Sequence, residues 1–284
     1  VKAEEKQQIL EIVRVALDED LRSQGDITSR ALFTSQDLGA GDFILKERGK
    51  VAGLPVAAAV FQLLDREVKF RSLVSEGDLL EADTVLARVE GPLLSILEGE
   101  RTALNFLQRL SGIATLTMEY VRRAGPYGVV IKDTRKTTPC LRILEKYAVR
   151  VGGGVNHRMG LFDAVLIKDN HIRAIGGITR AVHLVREEYG RDYSVEVEVS
   201  NLEELEEAIA SGADVVMLDN MEVKEIRKAV EVAAGRVLLE VSGGVTLDRT
   251  EEIASTGVDF ISVGALTHSA RALDISLEIV RNIV

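Results

Sequence analysis

The sequence predicts an α/β protein in which an α+β N-terminal third precedes a parallel-sheet region of the (β/α)-barrel type. Three observations predict it. Short β-branched runs recur at Val129-Val130-Ile131, Ala164 to Ile167, Ser194 to Val199, Val215 to Leu218, Val237 to Val241 and Phe260 to Val263, each followed by a helical stretch or a glycine loop. Their ends, marked by Asp133, Lys168, Glu198, Asp219, Glu240 and Gly264, lie 35, 30, 21, 21 and 24 residues apart, which is room for one strand and one helix. The residues before Val129 lack this repeat. Six strands are visible where a complete barrel has eight, so the barrel is incomplete or hides one or two strands in less regular segments. An open doubly wound sheet is the alternative arrangement.

Taken in order, Gln7 to Leu21 places Ile9, Leu10, Ile12, Val13, Val15, Ala16 and Leu17 at mostly helical spacing before the polar Arg22-Ser23-Gln24-Gly25, which predicts one amphipathic helix. Between Ala40 and Gly91, apolar runs at Phe43-Ile44-Leu45, Glu67 to Leu73 and Thr84 to Val89 alternate with breaks at Gly49, Gly53, Gly77 and Gly91. These read as a small sheet with a helix around Pro55 to Leu64. Pro92 suits the first turn of a helix over Leu93 to Arg109, with Ser111-Gly112 as an interruption before a second helical piece to Arg123. The expected domains are therefore 1–112 and a barrel over 113–271, with a terminal helix at 272–284 long enough to dock back on the first domain.

Composition limits the partners. The chain has 284 residues, one Cys and a net charge of −10, from 35 Lys and Arg against 45 Asp and Glu. Its longest apolar run, Val51 to Phe61, is broken by Gly53 and Pro55 and falls short of the roughly 18 residues of a membrane span, so no membrane partner is expected. The charged Val1-Lys2-Ala3-Glu4-Glu5-Lys6 lacks a signal-peptide core, and one Cys makes no internal disulfide, so the expected compartment is the cytoplasm. The acidic balance disfavours nonspecific nucleic-acid binding. Yet Ile131 to Arg173 holds nine basic residues against four acidic ones, a local +5 that would attract a small, highly charged anion. A solvated helix face would share that composition.

Polar residues interrupt the apolar strands at their C-terminal ends: Asp133-Thr134-Arg135-Lys136, Lys168-Asp169-Asn170-His171, Glu196 and Glu198, Asp219-Asn220, Glu240 with Ser242-Gly243-Gly244, and Gly264. In a barrel those ends share one mouth. Arg135, Lys136, His157, Arg158 and Lys168 could bind carboxylate or phosphate oxygens, Arg as a planar fork and Lys as a point charge. Glu198 and Asp219 would hold ribose hydroxyls or Mg²⁺, directly or through other groups, unless they serve as salt-bridge partners of those cations. Ser242, Gly243 and Gly264 follow the last two strands, where barrels often hold phosphate on backbone N–H groups.

Other chemistries are disfavoured. No G-x-x-x-x-G-K-[ST] is present, and Gly39-Ala40-Gly41 lacks the third glycine of a dinucleotide fingerprint. His157, His171, His183 and His268 show no zinc spacing. His183, within the apolar Ile178 to Val185, reads as structural, and Cys140, in Pro139-Cys140-Leu141, reads as packing rather than as a nucleophile.

Glu100-Arg101-Thr102-Ala103-Leu104-Asn105-Phe106, Asp133-Thr134-Arg135-Lys136-Thr137-Thr138-Pro139, Asn156-His157-Arg158, Leu166-Ile167-Lys168-Asp169-Asn170-His171, Glu196-Val197-Glu198-Val199, Asp219-Asn220-Met221 and Glu240-Val241-Ser242-Gly243-Gly244 together closely resemble quinolinate phosphoribosyltransferase, the carboxylating nicotinate-nucleotide pyrophosphorylase. The match runs from about residue 10 to the C-terminus. The resemblance implies an N-terminal α/β sandwich domain, an incomplete, roughly seven-stranded α/β barrel, and a homodimer or larger assembly. It implies that quinolinate and phosphoribosyl pyrophosphate give nicotinate mononucleotide, pyrophosphate and CO₂ with Mg²⁺, in NAD synthesis. By position, Arg135, His157, Arg158 and Lys168 would bind the quinolinate carboxylates, with Arg101 entering from the neighbouring subunit. Lys136 and Lys168 would face the phosphoribosyl pyrophosphate, Glu198 and Asp219 its ribose or Mg²⁺, and Ser242, Gly243 and Gly264 a phosphate. A paralogue acting on nicotinate or in molybdenum utilisation, and a noncatalytic anion-binding barrel, are the alternatives; Arg101 with His157-Arg158 favours a dicarboxylate.

Overall fold

The computed structural model describes residues 3–283. They form two compact units, one built from the chain up to Met118, Thr138–Gly153 and the stretch from Ser269 onward, the other from Glu119–Thr137 and Gly154–His268. Among the described residues no helix is long and apolar enough to cross a membrane.

The first unit contains α1 (Ala3–Leu21), α2 (Ile27–Leu32), β1 (Leu38–Leu45), β2 (Gly49–Lys50), α3 (Leu54–Leu64), β3 (Lys69–Ser72), β4 (Leu79–Leu80), β5 (Val85–Pro92) and the first part of α4 (Leu93–Ala124). Four-residue spacing puts Ile9, Val13 and Leu17 of α1 on one buried face. Phe43, Phe61 and Phe70 from β1, α3 and β3 form an aromatic cluster with centroids 5.6 to 6.1 Å apart. Contrary to the expected interruption, α4 runs unbroken through Ser111 and Gly112, so the sequence boundary at 112 falls inside a helix. Gly112 serves close packing instead: a Cβ there would sit 1.9 Å from the Arg271 carbonyl oxygen. The buried Ser111 hydroxyl is occupied by the Ala52 backbone, whose N–H donates to it at 3.0 Å.

The expected helix at 272–284 is corrected. Ile275–Ile283 is a strand, numbered β12 below, and it pairs antiparallel with β1 at the edge of a sheet ordered β12-β1-β5-β3. Ile275, Leu277 and Ile279 recur at a period of two, and the open edge of β1 rewards extended pairing over a helix.

The second unit contains β6 (Val130–Lys132), β7 (Val165–Ile167), α6 (Asp169–Ile175), α7 (Ile178–Tyr189), β8 (Val195–Val199), α8 (Leu202–Ala210), β9 (Val215–Asp219), α9 (Val223–Ala233), β10 (Leu238–Ser242), α10 (Thr250–Ala254), β11 (Phe260–Ser262) and α11 (Ala265–His268), while α5 (Arg142–Gly152) belongs to the first. Its six strands are all parallel, in the order β6-β11-β10-β9-β8-β7. From β7 to β11 neighbours are consecutive in sequence, with no reversal, and β6 follows β11. That is the winding of a barrel, and it lacks the switch point of a doubly wound sheet. Val155 adds a single parallel rung on the free edge of β6, through Lys132, and β6 and β7 do not pair. The unit is an incomplete α/β barrel.

Candidate active site

Strand alternation builds the site. Along β8, Val195, Val197 and Val199 occupy one face, and Glu196 and Glu198 the other. Glu196 is buried, and Glu198, one pleat nearer the strand end, lines a pocket. Asp219, Ser242 and Ser262 are the last residues of β9, β10 and β11, and they line the same pocket. Thr134, Arg135 and Lys136 come from the loop after β6, and Lys168 follows β7; with His157, Leu166, Met217 and Asn220 they enclose a cavity of about 310 Å³.

Local hydrogen bonds hold these loops. Lys136 N–H donates to Thr134 Oγ1 at 3.0 Å, and Thr267 Oγ1 donates to the Lys136 carbonyl at 2.8 Å. The wholly buried Asp133 accepts from His157 N–H at 2.8 Å and Asn156 Nδ2 at 2.5 Å, which joins the loop after β6 to the segment beside Val155. Asn220 (φ 53°) donates from Nδ2 to Asp219 at 2.8 Å. Gly243 (φ 91°) must be glycine for two reasons, its left-handed backbone and the 2.2 Å that would separate a Cβ from Asn220 Oδ1.

The pocket brings cations and anions together. Arg135, Lys136 and Lys168 face Glu198 and Asp219. Burial raises the pKa of Glu198, the Asp219 charge raises it further, and Lys168 opposes both. Burial and the neighbouring Arg135 lower the proton affinity of Arg158, whose Nη1 donates to the Ala164 carbonyl at 3.2 Å. A carboxylate pair of this kind suits a hard cation or vicinal hydroxyls, and oxygen donors fit Mg²⁺.

Of the residues singled out in the sequence, Arg135, Lys136, His157, Lys168, Glu198, Asp219 and Ser242 line the pocket. Gly243 supports it from behind Asn220, and a Cβ on Gly264 would lie 3.0 Å from the Lys136 side chain. Arg158 stands beside Arg135 and outside the lining, and Arg101 borders a separate groove of the first unit with Glu19, Asp20 and Asn105. Sequence reasoning missed Ser262, which lines the pocket; it is a polar residue closing an apolar strand run, and that was the available signal. Cys140 is exposed at φ 66° rather than packed, because its tight turn points the side chain outward. His183 likewise lies on the exposed face of α7, 4.0 Å from Glu187, rather than in the core.

Comparison with known proteins decides the family. The model of the quinolinate phosphoribosyl transferase C-terminal domain matches residues 113–278, and that of the N-terminal domain matches residues 26–111. The chain belongs to the quinolinate phosphoribosyltransferase family. Among curated members of this family, it is 49% identical over 269 residues to the probable carboxylating nicotinate-nucleotide pyrophosphorylase of Synechocystis sp., covering 94% of this chain and 90% of that one. It is 46% identical to the corresponding Bacillus subtilis protein, covering 90% and 88%. NadC from Streptococcus pyogenes superposes with a TM-score of 0.92 at 42% identity, over 97% of this chain and 98% of that one.

Proposed function

We propose that the protein transfers the phosphoribosyl group of phosphoribosyl pyrophosphate to quinolinate, with release of pyrophosphate and CO₂, in the barrel-mouth pocket. The observation that carries this reading is the convergence of Arg135, Lys136 and Lys168 with the Glu198–Asp219 pair in one cavity at the strand ends. Two multiply charged anions and a sugar need that combination of cations and carboxylates. Arg135, His157, Arg158 and Lys168 form the acceptor side, and Lys136 and Lys168 face the phosphates. Ser242, Gly243 and Gly264 supply backbone and hydroxyl contacts to a phosphate, and Glu198 and Asp219 hold the ribose or Mg²⁺. When bound, Mg²⁺ contributes positive charge to the pyrophosphate oxygens.

The pyridine nitrogen is the nucleophile, so no side chain has to attack. The pocket holds that nitrogen against the anomeric carbon, and Glu198 and Asp219 stabilise positive charge developing on the ribose ring. The C–O bond to pyrophosphate breaks as the N–C bond forms, and Lys136 meets the departing charge. The carboxylate at ring position 2 then leaves as CO₂, its electron pair staying on the carbon next to the pyridinium nitrogen until that carbon takes a proton from water. A homodimer or larger assembly completes the acceptor side with Arg101 of a second copy, in a reducing cytoplasm where the single Cys140 stays a thiol.

The test is pyrophosphate release from phosphoribosyl pyrophosphate and Mg²⁺, with quinolinate and nicotinate offered separately. Pyrophosphate and CO₂ in equal amounts from quinolinate alone are expected, whereas release with nicotinate alone would move the assignment to a paralogue. Mixing inactive Arg101→Ala with inactive Lys136→Ala chains should restore part of the activity; no recovery after proven subunit exchange would remove Arg101 from a shared site.

A further inference from the structure

Beneath the pocket lies a charged floor. Glu240 of β10 is wholly buried, and its carboxylate meets Lys132 Nζ at 2.7 Å and the hydroxyl of Ser262, while Lys132 also sits 3.5 Å above the Phe260 ring. Glu196 of β8 is 7% exposed. The His157 imidazole stands over both, its Nε2 3.0 Å from Glu196 and 3.5 Å from Glu240.

The other ring nitrogen decides what this cluster is. The backbone N–H of Arg158 donates to His157 Nδ1 at 2.7 Å, so Nδ1 presents a lone pair and the ring proton sits on Nε2, toward the two carboxylates. His157, Glu196 and Glu240 have ligand atoms within 4.8 Å of one another, close enough to suggest a metal site. A metal would take the Nε2 lone pair and push the proton onto Nδ1, where the Arg158 N–H already points. The cluster is therefore built around an N–H donor, not a cation.

We propose that Glu196 and Glu240 are positioning residues for the acceptor: they fix the His157 ring in its Nε2–H tautomer, and the ring fixes the backbone of Arg158. Three acceptors in succession carry this. Asp133 accepts the His157 N–H at 2.8 Å, His157 Nδ1 accepts the Arg158 N–H, and Asp163 accepts the N–H groups of Met159 and Gly160 at 2.7 and 2.9 Å. Consecutive amides from 157 to 160 are thus each directed, and the Arg158 guanidinium is set beside Arg135. His157 Nδ1 is taken by the Arg158 amide, and Nε2 stands within ion-pair distance of Glu196 and Glu240, so the ring orients Arg158 while its edge still lines the pocket. This inference rests on the reading of the pocket as the acceptor site.

The experiment combines spectroscopy and kinetics on the full chain. In ¹⁵N-histidine protein, with His157→Gln to assign one of the four histidines, long-range ¹⁵N–¹H correlation at neutral pH should show His157 as the Nε2–H tautomer, unchanged by Zn²⁺. A proton on Nδ1, or a metal-shifted Nε2, in the wild-type protein would overturn the proposal. Glu196→Leu should raise the quinolinate KM about tenfold, as expected for loss of a buried charge facing the ring, while kcat and the phosphoribosyl pyrophosphate KM stay within about twofold. Glu196→Gln, which keeps an acceptor for Nε2–H, should return the quinolinate KM toward the wild-type value. Equal effects on both substrates, or no rescue by Gln, would mean that the floor is only structural. Wild-type protein that fails to bind quinolinate in calorimetry, with the tautomer as stated, would sink the acceptor-site reading alone.

Discussion

The buried carboxylates of the first unit and the strand-end Glu198 of the barrel unit are used in opposite ways. In the first unit they are saturated. Glu145, wholly buried, accepts Thr138 N–H at 3.0 Å, the Thr138 hydroxyl at 2.8 Å and Arg109 at 2.7 Å. Glu76 accepts the N–H groups of Gly53 and Leu54 at the start of α3 and the Tyr147 hydroxyl, and Asp42 takes Arg88 through two bonds of 2.7 and 2.8 Å. In the barrel unit, among the described residues, nothing donates to the Glu198 side chain, and the ammonium groups of Lys136 and Lys168 form no ion pair. A saturated carboxylate holds the chain together. Charges left open at strand ends are stabilised only when a ligand arrives, so they identify the site better than charge composition does.

Variants can break this contrast. Glu145→Ala would leave Arg109 and Thr138 without their shared acceptor, and a loss of about 3–5 kcal/mol is expected in denaturant unfolding. A loss under about 1 kcal/mol would mean that saturation is not what stabilises the first unit.

Glu198→Gln should do the reverse, lowering kcat/KM for phosphoribosyl pyrophosphate about 100-fold without lowering Tm at neutral pH. Its sign with pH follows from the raised pKa. The folded state binds the Glu198 proton more tightly than the unfolded chain, so this stabilisation is full below the unfolded value and is lost as pH rises through the folded one. Any Tm advantage of the Gln variant should therefore shrink on acidification, and an advantage that grew instead would contradict the shift.

Gly243→Ala should cost about 1–3 kcal/mol from backbone strain, with further cost as the new Cβ displaces Asn220. Thermal unfolding with and without phosphoribosyl pyrophosphate would separate stability from site geometry. Cys140→Gly should have the smallest effect, a gain of about 0.5 kcal/mol, because relief of the left-handed cost at φ 66° is partly offset by the freer unfolded chain. A destabilised glycine variant would show that the Cys140 side chain makes a contact worth more than the strain.

Much of this architecture was readable from local pattern. The six barrel strands, the α3 helix and the strand-end clustering of Arg135, Lys168, Glu198 and Asp219 all appear as β-branched runs closed by polar residues. Ambiguity remained where one pattern serves two structures. Ile275 to Ile283 carries enough apolar residues for a helix face, and only the open edge of β1 selects the strand. Ser111-Gly112 looks like a break, yet the approach of the Arg271 backbone gives Gly112 its role. Cys140 and His183 sit among apolar neighbours, but the turn at φ 66° and the outer face of α7 expose them.

By itself the sequence determined which side chains end the strands and that those strands repeat, because periodicity and residue chemistry are local properties. Tertiary structure alone decided how far each charge lies from its neighbours. The pairing of β8 with β9 and of β9 with β10 carries Glu198, Asp219 and Ser242 to one mouth, and the Arg158 amide, aimed at His157 Nδ1, turns the opposite nitrogen toward Glu196 and Glu240. Those distances set proton affinities and ligand preference through Coulombic and desolvation energies, which depend on separation in space rather than along the chain.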